Sequence, residues 1–205
     1  MERRKIGDFL SGKNRESIPN IAFKAMTFIM NLMDIFGQYS RRNFETLELK
    51  SGQTVIDYGC GPARYVEFAS NAVGKAGKVI AVDVHPLAIA KVKGKIKKRK
   101  LSNVEAVLAE KYTTPISAEI ADVVYALDMF HMIAQPNELL KELGRLVKKD
   151  GIVIIEDGHQ SRTDTIQKIE ISGIFKIFQE TKSHVKCQRL SSVKKLQQES
   201  NGTYF

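Results

Sequence analysis

Residues 55–64, Val-Ile-Asp-Tyr-Gly-Cys-Gly-Pro-Ala-Arg, constrain the chain more than any other stretch. A short apolar run enters Asp57. Gly59 and Gly61 follow, spaced by a single residue, and then a helix begins. The apolar run suits a buried parallel strand. The glycines let the backbone turn tightly and let a ligand approach it closely. Amides at the head of the next helix offer donors and the positive end of its dipole. In an open α/β sheet such a carboxyl edge is where ligands bind. An ordinary strand-to-helix turn uses the same residues, so the surroundings of the loop must decide between the two.

Those surroundings repeat a strand–helix rhythm. Thr54 to Tyr58 reads as a strand and Ala63 to Val73 as a helix, with Val66, Ala69, Ala72 and Val73 inward and Gly74 ending it. Val79 to Asp83 is a second strand, and Pro86 opens a helix that runs to about Lys100. Val104 to Ala109, closing on Glu110, and Asp122 to Leu127, closing on Asp128, are the third and fourth strands. Pro136 opens a helix with Leu139, Leu140, Leu143, Leu146 and Val147 on one face, and Asp150-Gly151 turns into a fifth strand, Ile152 to Glu156. A helix from about Thr163 to Ser172 precedes strands near Ile174 to Thr181 and His184 to Leu190. Only a few residues part these last two, so they pair as an antiparallel hairpin. The pattern predicts an α/β fold: a doubly wound seven-stranded sheet, mostly parallel with an antiparallel C-terminal strand and helices on both faces.

Upstream, residues 1–20 are polar with a break at Pro19 and read as a mobile arm. Ile21 to Phe36 follows as a helix whose Ile21, Ala25, Phe28, Leu32 and Phe36 form one stripe. Met26, Met30 and Met33 add an adaptable surface. The stripe fits a helix packed on the sheet, and it also fits a lid over a ligand pocket. A second helix spans roughly Gln38 to Leu47, with Tyr39, Phe44 and Leu47 as its apolar contacts. The chain divides into a helical cap segment (1–49), a main domain (50–190) and a polar tail (191–205).

A length of 205 residues suits one domain with a sizeable core. Cys60 and Cys187 make no disulfide framework, which fits a reducing, cytoplasmic setting. No apolar run follows the charged start, and the window Ile21–Phe36, interrupted by Lys24, Asn31 and Asp34, is too short to span a bilayer. The formal charge of +9 admits nucleic acid, an anionic membrane surface or acidic small molecules as partners. Its densest run is Lys91, Lys93, Lys95, Lys97, Lys98, Arg99 and Lys100. On a helix these spread around the circumference and leave Ala88, Val92 and Ile96 for the sheet. That describes a solvated face, or a landing strip for RNA phosphate without aromatics to stack bases.

Asp83 ends the second strand 24 residues beyond Gly59, so both lie at one sheet edge. A carboxylate there can accept hydrogen bonds from both hydroxyls of a ribose. The expected ligand is therefore a nucleoside-containing cofactor. A dinucleotide fingerprint requires a third small residue where Arg64 stands. Asp57 would also repel a pyrophosphate, whereas a sulfonium with an amino-acid head tolerates carboxylates nearby.

Four segments now stand in order: Asp57-x-Gly59-x-Gly61-x-Ala63, residues 79–83, residues 122–127 and residues 146–154. Together they resemble the Rossmann-like class I S-adenosylmethionine-dependent methyltransferases over residues 45–190, in particular the small-molecule and quinone-biosynthesis members. The resemblance implies that Asp57, Gly59, Cys60 and Gly61 surround the methionine end of S-adenosylmethionine. It implies Asp83 at the ribose with Val84 and His85 beside it, Glu110 near the adenine amine, and Leu127 and Asp128 closing over the cofactor. Ala63 departs from a third glycine, and Glu110 from a more frequent aspartate.

A sulfonium is already an activated donor, so the protein chiefly aligns a nucleophile in line with the methyl carbon. That needs no metal, and the sequence shows no ligand cluster for one. A hydroxyl acceptor would be helped by a base; the candidates are His131 after strand four, and Asp157 and His159 after strand five. No Asn-Pro-Pro-Tyr-type tetrapeptide follows strand four, where Asp128-Met129-Phe130-His131 stands. The expectation is methyl transfer to a small or moderately apolar acceptor. The alternatives are an RNA methyltransferase using the basic surface, or a non-catalytic cofactor-binding module. Acceptor choice falls to residues 1–49 and to the loops after strands four and five.

Overall fold

Consecutive apolar side chains in a strand point to opposite faces. In the computed structural model, which describes residues 18–37 and 39–190, this puts a core on each side of one sheet. The strands are β1 (Thr54–Tyr58), β2 (Lys78–Asp83), β3 (Val104–Leu108), β4 (Ala121–Ala126), β5 (Val147–Glu156), β6 (Phe175–Glu180) and β7 (His184–Arg189). Their order is β3-β2-β1-β4-β5-β7-β6. β1 to β5 run parallel, and β7 pairs antiparallel with both β5 and β6. The order reverses between β1 and β4, the switch point where a crevice opens above the strand ends.

The helices are α1 (Asn20–Gly37), α2 (Tyr39–Glu45), α3 (Val66–Val73), α4 (Pro86–Arg99), α5 (Pro136–Leu146) and α6 (Arg162–Ile171), with one 3-10 turn at Phe130–Met132. Ile56, Ile80, Val124 and Ile155 meet Leu139, Leu140 and Leu143 of α5 and Ile169 of α6 on one face. Val55, Val79, Val123, Tyr125 and Ile154 meet Phe44, Ala69 and Val73 on the other, where Ala81 and Val92 also pack with Val66. The doubly wound prediction holds, including the C-terminal hairpin. Among the described residues no helix is long and apolar enough to cross a membrane.

Three local expectations fail. The helix after β1 starts at Val66, not at Ala63. Ala63 has φ +64, a left-handed conformation that no α-helix interior accepts, so the glycine loop is longer than its sequence suggests. β5 already begins at Val147, so Asp150-Gly151 is a register shift within a strand rather than a turn. A Cβ on Gly151 would lie 2.9 Å from the Asp122 carbonyl, which is why the β4 backbone can come so close.

The third failure is the orientation of α1. The expected inward stripe faces outward, with Ile21 64%, Phe28 70% and Leu32 46% exposed. Phe23, 2% exposed, is buried instead, together with Thr27, whose hydroxyl donates to the Phe23 carbonyl. The Phe23 ring stacks on His85 at 4.4 Å, so the side of the helix turned inward is that of Phe23 and Thr27, not its most apolar one. The residue 1–17 arm and the 191–205 tail lie outside the described residues.

Packing beside β2 leaves no space at Gly77. A Cβ there would fall 2.5 Å from Val73 Cβ and 2.6 Å from the Gln53 carbonyl. Gly77→Ala is expected to destabilise the fold by about 2–3 kcal/mol through overpacking, read as a lower denaturant midpoint. An unchanged midpoint would contradict this packing.

Candidate active site

A cavity of about 1600 Å³ opens at the carboxyl edge of the sheet, between the ends of β1, β2 and β4 and the start of α1. Backbone hydrogen bonds shape its floor. The Gly59 and Cys60 amides both donate to the Val82 carbonyl, at 2.8 and 2.9 Å, and fasten the loop to β2. Gly59 has φ +78, and a Cβ on it would lie 2.9 Å from Met129 Cγ. Glycine is required there on both counts.

Asp83 joins two loops. Its Oδ2 accepts from the Gly61 amide and its Oδ1 from the His85 amide, each at 2.8 Å. Burial pushes its pKa up, and those amides pull it back. Asp83 also lines the cavity. Val84 and His85 line the same wall. His85 Nδ1 accepts from the Leu87 amide at 3.1 Å, which leaves Nε2–H to donate to the Ile18 carbonyl at 3.1 Å. That bond and the Phe23 stack hold the N-terminal end of α1 against the cavity.

Asp57 is not on the cavity wall. It lies beneath the loop, 1% exposed, and its Oδ2 has no hydrogen-bond partner of normal geometry among the described residues. Burial, and then the charge of Asp83, push its pKa up to about 8; the Tyr125 hydroxyl and Lys95 oppose the rise. Cys60 does reach the wall, but burial raises its thiol well above the ordinary value, so it is no nucleophile. Glu110 stands exposed at the rim, at a turn in which Glu110 and Thr113 exchange backbone hydrogen bonds. Leu127 and Asp128 line the cavity at the end of β4, Asp128 with φ +53.

The base candidates separate. Asp157 is held by the Arg162 guanidinium through bonds of 2.7 to 3.0 Å, and Arg162 also donates to the Thr181 carbonyl. This acid anchors the start of α6 and is committed away from the cavity. His131 and His159, 28 positions apart in the chain, come together edge to face at 5.0 Å. Asp128 joins them: one carboxylate oxygen and one nitrogen from each ring lie within 4.8 Å of one another. The sequence reading saw no such cluster, because its members come from different loops.

It also missed much of the cavity wall. Ile18, Pro19 and Asn20 line it, as do Tyr112, Met132, Ile133 and the Glu142–Arg145 pair. Glu142 accepts from Arg145 Nη2 at 2.7 Å, from the Thr114 hydroxyl at 2.8 Å and from the Thr114 amide at 3.0 Å. An acid and an arginine three apart beside the buried leucines of α5 were a visible signal for this network.

The fit to a nucleoside cofactor with a cationic head can be judged from these groups. Asp83 lines the cavity, Gly61 has nothing nearer than 4.0 Å to where a Cβ would stand, and Asp57 carries an unpartnered carboxylate oxygen beneath the loop. The residues suit S-adenosylmethionine.

Comparison with known proteins agrees. A family model described as a methyltransferase domain matches residues 49–201. The chain is 30% identical over 115 residues to (S)-coclaurine N-methyltransferase of Papaver somniferum, covering 55% of this chain and 31% of that protein. It is 28% identical over 132 residues to demethylmenaquinone methyltransferase of Staphylococcus saprophyticus, covering 63% of this chain and 55% of that one. The chain thus spans between 31% and 55% of the length of these relatives. A solved S-adenosylmethionine-dependent methyltransferase from Aquifex aeolicus superposes with a TM-score of 0.65 at 24% identity, over 77% of this chain and 92% of that one, a likeness of fold. With the family match spanning most of the chain, the seven-stranded fold and the strand-end acid in place, the chain belongs to the class I S-adenosylmethionine-dependent methyltransferases, transferases whose cofactor is S-adenosylmethionine.

Proposed function

We propose that this protein transfers a methyl group from S-adenosylmethionine to a small, moderately apolar acceptor held between α1 and the loop after β4. One observation carries this reading: a single cavity runs from Gly59 and Asp83 to an apolar region lined by Met26, Met30, Met132, Ile133 and Leu139. A polar end and an apolar end in one pocket suit two ligands side by side.

When bound, S-adenosylmethionine supplies a methyl group already activated on a sulfonium, so the protein's contribution is positional. Asp83 accepts the ribose hydroxyls. Gly61 leaves room for the methionine end, with Gly59 and Cys60 on the wall beside it, and the buried Asp57 beneath the loop gives up its proton as the sulfonium arrives. Glu110 stands at the rim on the adenine side, while Val84, His85 and Leu127 form the adjoining wall. α1 caps the acceptor side and excludes water from it. Of the Asp128, His131 and His159 cluster, Asp128 is the member that lines the cavity, with His131 and His159 behind it. Calorimetry with S-adenosylmethionine and S-adenosylhomocysteine tests the cofactor site; absence of binding by both would sink it.

The cap makes its own prediction. Phe23→Ala removes the ring on His85 and about 3 kcal/mol of burial. Trypsin cleavage at the exposed Lys24 is expected to accelerate at least about 10-fold. An unchanged cleavage rate would remove Phe23 as the anchor.

An RNA acceptor is less well supported. The basic side chains do gather on a groove of about 960 Å³ between α2, α3 and α4, lined by Arg41, Arg64, Lys91, Lys95, Lys98 and Arg99. Arg41 is paired with Glu45, however, and Arg99 with Glu67, and Phe68 is the one aromatic ring in the lining. RNA binding at low salt that falls steeply as salt rises would favour that reading; no binding at low salt would exclude it.

A further inference from the structure

We propose that Asp128, His131 and His159 bind a divalent first-row transition metal ion beside the methyl-transfer cavity, and that this ion holds an oxygen of the acceptor. The acceptor role rests on the methyltransferase reading above; the ion site itself does not. Among the described residues these three bring ligand-capable atoms within 4.8 Å of one another. Ligands bound at about 2.1 Å around a tetrahedral ion lie about 3.4 Å apart, so modest side-chain rotation closes the set.

The ligand chemistry selects the ion. Two imidazoles and one carboxylate suit zinc or iron(II), and such a triad leaves coordination positions open. Magnesium and calcium prefer oxygen ligands alone. The chain has four histidines. His85 has both ring nitrogens engaged in hydrogen bonds and His184 is buried, so the other two meet at this one place.

The scaffold is shaped for the cluster. Asp128 is turned by its left-handed backbone at the end of β4 and lines the cavity. Its two partners follow from the 3-10 turn after β4 and from the loop after β5, both at the carboxyl edge. Gly158, with φ +62, makes room for His131: a Cβ there would come 2.2 Å from Nδ1 of that ring. The residue next to the third ligand is thus a glycine on which the placement of the second depends.

Open positions on such an ion accept an oxygen donor and lower its pKa. A hydroxyl acceptor bound there releases its proton to solvent. Its oxygen lone pair then forms the bond to the methyl carbon as the sulfur–methyl bond breaks, and that electron pair stays on sulfur as a neutral thioether. This narrows the acceptor class to molecules that present an oxygen ligand, such as a catechol or an enol, next to an apolar body.

The test uses the full-length protein, freed of metal by a chelator and titrated with Zn²⁺ by calorimetry. About one equivalent is expected to bind, with no comparable binding of Mg²⁺. His159 is exposed, so His159→Ala should fold normally and weaken Zn²⁺ at least about 100-fold. Gly158→Ala should weaken it at least about 10-fold without removing a ligand, because His131 must move. No Zn²⁺ binding, or unchanged affinity in His159→Ala, would overturn the site. S-adenosylhomocysteine titration runs in parallel and is expected to be the same in wild type and His159→Ala. Failure there with Zn²⁺ binding intact would remove the methyltransferase reading and leave the ion site standing. Co²⁺-loaded protein reports the acceptor role: added catechol should shift its visible absorption in the wild type, and no shift would overturn that role.

Discussion

Asp83→Ala is expected to weaken S-adenosylmethionine and S-adenosylhomocysteine at least about 100-fold. Two ribose hydroxyls donating to a carboxylate are worth about 1.5 kcal/mol each at the low end. Their sum of about 3 kcal/mol is about two factors of ten in affinity. The loss should exceed the ribose bonds alone, because the same carboxylate accepts the Gly61 and His85 amides and so shapes both loops. Asp83→Asn preserves the size and one acceptor and should lie between the two, at about a 10-fold loss. Calorimetry at fixed salt reads both variants. Wild-type affinity in Asp83→Ala would remove this residue from the cofactor site.

Asp57→Asn is expected to stabilise the protein, and to do so more as pH rises. Asp57 is raised from 3.8 to about 8 in the fold. In the unfolded chain it is ionised above about pH 4, so folding between there and about pH 8 requires proton uptake. Stability then falls with pH through this window and levels off above it, the sign being set by the folded state holding the extra proton. Asparagine has no proton to take up. The difference in stability between variant and wild type should be near zero at the acid end and grow to a few kcal/mol by about pH 8. Using that difference cancels the other titrating groups, including His184, which burial lowers to about 4 and which acts in the opposite direction. Denaturant melts across the window would show it. A difference independent of pH would mean that Asp57 is not held protonated beneath the loop. The same residue should tie cofactor binding to proton release, since a sulfonium above it favours the carboxylate.

Much of the fold was legible because parallel strands buried on both faces must be short continuous apolar runs. Val55-Ile56, residues 79–82 and residues 152–155 could be little else, and each lies in the sheet where its run places it. The place of the β2 acid at the cavity edge was readable from chain topology alone, since every parallel strand delivers its carboxyl end to one edge. Other features depended on partners distant in sequence. The outward stripe of α1 goes with two contacts to His85, the Phe23 ring and the Ile18 carbonyl. Asp157 looked like a base until Arg162 and the β6–β7 turn closed around it. Ala63 looked helical because alanine favours helices, and the tight loop overrode that propensity.

The sequence by itself determined the sheet, its crossovers, the position of the glycine loop and the class of cofactor, because these rest on periodicity and on residues close in the chain. Only the tertiary structure decided which carboxylate faces the cavity and which lies beneath it, and which side of α1 is hidden. Only the fold joined Asp128 and His131 to His159, from a loop 28 residues further on. Local patterning sets where each strand ends; contact between loops that the chain keeps far apart sets what their side chains can do together.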